Sequence, residues 1–103
     1  MAVVRSTSKA DRRIAEAARW WWENRSAAPE LFVREFVDAT ARLSRTPEVG
    51  VPHRHRRIPG VRRLLLPRTR YHVYYVYQEE RDEVWILSVW SAVRGRRPPL
   101  KFP

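Results

Sequence analysis

Cysteine is absent from the chain, so no disulfide can staple the fold and no thiolate is available as nucleophile or metal ligand. Glycine occurs only at Gly50, Gly60 and Gly95, too sparsely for a phosphate-cradling loop. No apolar run approaches the roughly 18 residues of a membrane span. The start, Met1-Ala2-Val3-Val4-Arg5, is charged too early for a secretory leader, and a cytoplasmic protein is expected. Carboxylates are scarce: 11 Asp and Glu stand against 21 Lys and Arg, and none lies between Glu48 and Glu79. Lysine is scarcer still, at Lys9 and Lys101 alone, so the positive charge is carried by arginine.

With 103 residues the chain has room for one domain, residues 1–103, with a modest core. Five Trp, four Tyr and three Phe exclude a disordered basic tail. A net charge of +10 favours a polyanionic partner such as nucleic acid, the ribosome or an acidic protein. The plainer alternative is a solvated face. Arg54, Arg56, Arg57, Arg62, Arg63, Arg68 and Arg70 crowd into the acid-free stretch, which argues for the partner.

Ala2-Val3-Val4 has room for one short strand. Ser8 with Asp11 predicts a helix start of capping-box type, and Ala10, Ile14, Ala17, Ala18, Trp21 and Trp22 recur at helical spacing as one apolar stripe. Trp20 falls at its edge. Pro29 suits a first helical position, and Phe32, Phe36, Ala39, Thr40 and Leu43 form a second stripe, widened by Leu31, Val33 and Val37 and ended by Pro47. The short link predicts an antiparallel helical hairpin. Glu48 to Pro59 reads as a loop, and three strands follow between Pro59 and Trp90.

Alternation along these strands predicts two faces. Leu64, Leu66, Val73, Tyr75, Leu87 and Val89 are assigned to the helices; Arg63, Leu65, His72, Tyr74, Ile86 and Trp90 to the opposite side. That second face is too apolar to stay bare and too basic for ordinary core, so it is expected to be a binding surface or an oligomer interface. The order strand, two helices, three strands makes an α+β sandwich, β-α-α-β-β-β, with the hairpin on one face of a small sheet. On this register Ile86→Asp should weaken a partner without unfolding the chain, whereas Leu87→Ala should cost about 2–5 kcal/mol of stability.

His53, His55 and His72 are the candidate metal ligands, but no carboxylate is near them in sequence and no metal or cofactor is expected. No serine stands in a nucleophile-elbow motif. What remains is a basic, aromatic surface on which a metal-independent ribonuclease could be built. His72 would be base or acid, Tyr74 a supporting donor, and Arg63, Arg70 and Arg94 a phosphate clamp. The alternative is that Tyr71 to Tyr77 is an ordinary strand with core tyrosines.

The chain resembles the RelE/ParE superfamily of type II toxin–antitoxin toxins. The resemblance rests on the helix ending Leu43-Ser44-Arg45-Thr46-Pro47-Glu48-Val49-Gly50, on Pro59-Gly60-Val61-Arg62-Arg63-Leu64, on Tyr71-His72-Val73-Tyr74-Tyr75, on Ile86-Leu87-Ser88-Val89-Trp90 and on Arg94-Gly95. It implies a small, mostly antiparallel sheet under a helical hairpin, and a cognate antitoxin with an acidic amphipathic segment. Arg62, Arg63, Leu65, His72, Tyr74, Ile86, Trp90, Arg94, Arg96 and Arg97 would be its contacts or those of the target. RelE-like members cut mRNA in the ribosome; ParE-like members block DNA gyrase. Here His72 stands where RelE-like enzymes carry Arg, and Ser91 where many relatives have His. The resemblance therefore points to a ParE-like, non-catalytic toxin, with an mRNA interferase as the alternative.

Overall fold

The computed structural model describes all residues from Met1 to Pro103. Strand β1 (Val3–Ser6) leads into helices α1 (Ser8–Asn24) and α2 (Leu31–Arg45), followed by β2 (Val51–Pro52), β3 (Arg62–Leu66), β4 (Tyr71–Gln78) and β5 (Glu83–Ser91). The five strands form one sheet in the order β1-β5-β4-β3-β2. Only the β1–β5 pair is parallel. The expected loop after Glu48 thus contains a two-residue strand, because Val51 and Pro52 pair with Arg63 and Arg62.

Helix α1 is capped by Thr7, whose hydroxyl accepts the Ala10 N–H at 3.1 Å, and not by Ser8. Asp11 still serves the first turn, accepting from Ser6 Oγ at 2.5 Å. The inward stripe runs Ala10, Ile14, Ala17, Ala18 and Trp21, whereas Trp22 is 63% exposed and faces outward. Leu31, Phe32, Ala39 and Leu43 bury the inner side of α2. Val33 and Val37, expected to widen that stripe, lie exposed. Phe32 packs edge-on against Tyr71 of β4, with ring centroids 5.1 Å apart.

Two polar ties fix the turns around this core. Glu35 on α2 accepts from the Arg68 N–H, the Thr69 N–H and the Thr69 hydroxyl, holding the β3–β4 turn where Arg70 takes a positive φ of 64°. The buried Tyr75 hydroxyl accepts the Gly50 N–H at 2.8 Å. A Cβ on Gly50 would lie 2.7 Å from that hydroxyl and 2.8 Å from the Arg63 carbonyl oxygen, so no larger residue fits without displacing backbone.

The register of β4 and β5 overturns part of the expected face assignment. Tyr74 pairs with Ser88 and Tyr75 with Ile86, leaving Leu87 as the extra residue of a β-bulge. An inserted residue shifts the alternation by one. Ile86 therefore joins Val84 and Val89 under the helices, 1% exposed, and cannot be a partner contact. Leu87 moves to the other face with Tyr74, Val76 and Trp90. β3 and β4 carry no such shift, and Leu64, Leu66, Val73 and Tyr75 face the helices as expected.

The second face is not bare. Ile58 and Val61 from the loop before β3, and Leu100 with Phe102 from the C-terminal segment, pack over Tyr74, Val76, Leu87 and Trp90. The chain thus covers most of the apolar surface that was expected to need a partner. Tyr74 and Trp90 are 3% and 4% exposed. Because Ile86 and Leu87 both fill core, Ile86→Ala and Leu87→Ala should each cost about 2–5 kcal/mol in denaturant unfolding. An Ile86→Ala variant as stable as the parent would mean that the alternation runs unbroken through β5.

Candidate functional site

The rim left open beside this self-covered face is almost wholly basic. A depression of about 370 Å³ is lined by His53 and Arg54 after β2, Arg63 on β3, His72 and Tyr74 on β4, and Trp90 through Arg97 at the exit of β5, Val93 excepted. Backbone pairing explains the convergence. Arg63 lies opposite Tyr74, and His72 opposite Trp90, so adjacent strands carry these side chains on one face. His53 is drawn in by its N–H, which donates to the Val61 carbonyl at 2.8 Å.

Tyr74 is the hinge of the cluster. The His53 ring meets it edge-on at 4.9 Å and the His72 ring at 5.9 Å. Burial, and next the Arg63 charge, holds both imidazoles below the ordinary histidine range. Arg97 adds to this at His53 and Arg70 at His72. Both effects favour the neutral ring. Trp90 organises the exit: its Nε1–H donates to the Arg96 carbonyl at 3.1 Å, and the Arg94 guanidinium lies 4.2 Å from its ring centroid. Arg13 and Arg96 also approach that ring, each at 5.5 Å.

Of the residues singled out from sequence, the structure brings together Arg63, His72, Tyr74, Trp90, Arg94, Arg96 and Arg97. It separates three. Arg62 turns to the other side of β3 and donates to the Glu48 and Gly50 carbonyls. Arg70 lines a different groove. Ile86 is buried under the helices. Leu65 is 37% exposed and outside the depression. Arg54 was missed, and His53 was grouped with His72 only as a candidate metal ligand; the signal was Pro52-His53 beside a short strand, invisible until β2 paired with β3. No three His, Asp or Glu side chains lie close enough together to hold a metal ion.

The second groove, about 580 Å³, runs between the C-terminal half of α1 and the ends of β4 and β5. Arg13, Arg25, Arg70 and Arg94 line it with Trp20, Trp21, Trp90 and Val93, against the single carboxylate of Glu16. Arg25 stacks 4.7 Å from the Trp20 centroid. The groove is therefore both apolar and cationic, whereas the depression is cationic alone.

A family model described as the ParE toxin of the type II toxin–antitoxin system parDE matches residues 4–95. The chain belongs to the ParE toxin family. It is thus a toxin of a type II toxin–antitoxin system. Among solved structures it is similar to the RelBE2 toxin–antitoxin complex of Mycobacterium tuberculosis, at 27% identity and a TM-score of 0.64, covering 88% of this chain and 92% of that one. The chromosomal ParDE system of Pseudomonas aeruginosa follows at 20% identity and a TM-score of 0.66, covering 88% and 96%. The isolated Escherichia coli RelE toxin shares 17% identity with a TM-score of 0.59, covering 92% and 88%. The last two likenesses show the fold alone. No curated protein matches the sequence.

The ParE-family depression has a measurable electrostatic consequence. In NMR titration His53 and His72 should both titrate below the ordinary value of 6.5, and Arg63→Ala should move both upward. Lowered folded values mean that the unfolded chain takes protons first. The stability linked to these rings is present in full above pH 6.5 and is lost as pH falls through the folded values. Titration of both rings at the ordinary value in the folded protein would contradict this.

Proposed function

We propose that this toxin acts by binding and blocking DNA gyrase, and that a cognate antitoxin with an acidic amphipathic segment neutralises it. One observation carries the non-catalytic reading: arginines and imidazoles line the depression without a single carboxylate. Phosphodiester cleavage by RNA's own 2′-hydroxyl needs a base and an acid together. Burial and the Arg63 charge disfavour the protonated form of both imidazoles, no carboxylate lines the depression, and Tyr74 is buried. The arginines are suited to holding phosphate or an acidic surface, and the ParE family match supports gyrase as the target.

The antitoxin surface is revised from the sheet face to the groove beside α1. Its tryptophans and Val93 can receive apolar anchors while Arg13, Arg25 and Arg70 meet carboxylates. The solved RelBE2 and ParDE relatives are toxin–antitoxin systems, which supports the expectation of such a partner.

A ribosome-dependent mRNA interferase is the second reading, favoured by the His53–Tyr74–His72 cluster under Arg63. Purified toxin should inhibit gyrase supercoiling and leave ribosome-bound mRNA intact, and His53→Ala/His72→Ala should retain the inhibition. Position-specific mRNA cuts that disappear in the double variant would decide for the interferase.

A further inference from the structure

We propose that the carboxylate-free face of this toxin binds the phosphodiester backbone of duplex DNA directly. The charge of the chain is segregated. Residues 49–78 and 84–103 hold eleven Arg and Lys and no carboxylate, while the rest of the chain holds ten against eleven Asp and Glu. The two acid-free stretches are the segments that the fold brings together around β3, β4 and the exit of β5. Eight of these eleven charges line one side of the sheet, Arg62, Arg68 and Arg70 lying elsewhere.

That side is continuous. Beside the depression lies a second concavity of about 520 Å³, to which Arg56, Arg57 and Lys101 contribute. His53, Arg54 and Arg97 line both, so the two form one surface with no acidic residue along it. Such a surface repels an acidic residue nowhere and can follow a polyanion across its length.

The form of the polyanion follows from the rings. Single-stranded nucleic acid is gripped by stacking bases on open aromatic faces. Here Tyr74 and Trp90 are almost wholly buried, and Arg94 covers the Trp90 ring. The exposed Trp20 and Trp22 stand on α1. Only the half-buried His53, His55 and His72 rings remain on this surface, and forked guanidiniums with so little open ring area suit a regular phosphate backbone. An acidic protein segment is disfavoured because its affinity needs apolar anchors, and the only hydrophobic residue of the second concavity, Leu100, is committed to the core. The gyrase reading requires only a protein contact, so this inference goes beyond it and stands or falls separately.

The test is fluorescence anisotropy of the full chain with a labelled 20-base-pair duplex between 50 and 200 mM salt. For about five phosphate contacts, counterion release predicts a log–log slope of about −4.5 and a loss of roughly 500-fold in affinity over that range. Arg54→Ala/Arg57→Ala/Arg97→Ala, checked for folding by circular dichroism, should bring the slope to about −2. Arg19→Ala/Arg34→Ala/Arg45→Ala removes equal charge from exposed positions on the helices and should leave it unchanged. A flat salt response, equal losses in both triple variants, or tenfold tighter binding of single-stranded RNA or poly-glutamate of equal charge would overturn the proposal. Gyrase inhibition without duplex binding would sink this inference alone; duplex binding without gyrase inhibition would sink the gyrase reading alone.

Discussion

A single extra residue in β5 controls how this fold distributes its apolar side chains. Without the bulge at Leu87, Ile86 would point away from the helices and Leu87 toward them. With it, Val84, Ile86 and Val89 complete the core under α1 and α2, and Leu87 supplies the second face. A sheet apolar on both sides must be covered on both sides. The helical hairpin covers one; Ile58, Val61, Leu100 and Phe102 cover the other. The C-terminal segment is therefore a structural layer of the domain, held in addition by the hydrogen bond from Trp90 to the Arg96 carbonyl.

Covering the second face with the chain's own loops determines what is left for function. The covering segments are the acid-free ones, so their apolar residues go inward and their arginines form the rim. Burial and neighbouring guanidiniums act in the same direction on His53 and His72, suppressing the charged imidazolium. Two surfaces of different character result. The groove beside α1 combines tryptophans with arginines and suits an amphipathic peptide; the depression and its neighbouring concavity are cationic without open apolar surface. A small toxin that must meet both an antitoxin and a target gains from keeping these chemistries apart.

Much of this architecture was legible in the sequence. The apolar stripes, the alternation of β3 and β4 and the chain order were sufficient for the fold class, and the family resemblance agrees with the match over residues 4–95. What was not legible has identifiable physical causes. The bulge carries no glycine or proline, and its cost is met by tertiary packing, so strict alternation misplaced Ile86 and Leu87. The cover of the second face joins residues far apart in the chain, and no local period reports it. Trp22 and Val37 fit the helical spacing but fall just outside the buried arc, because each helix packs along a narrow line. His53 entered the candidate site only through a two-residue strand too short to show a pattern.

The bulge exchanges Ile86 and Leu87 between two separate cores. Methyl NOEs in the intact toxin test it most directly. Ile86 methyls should contact the helix-side cluster around Phe32 and Ala10, and Leu87 methyls the cluster of Val61, Trp90 and Leu100. Leu87 contacts to Phe32, with Ile86 facing Trp90, would contradict it and return the second face to an unbroken strand.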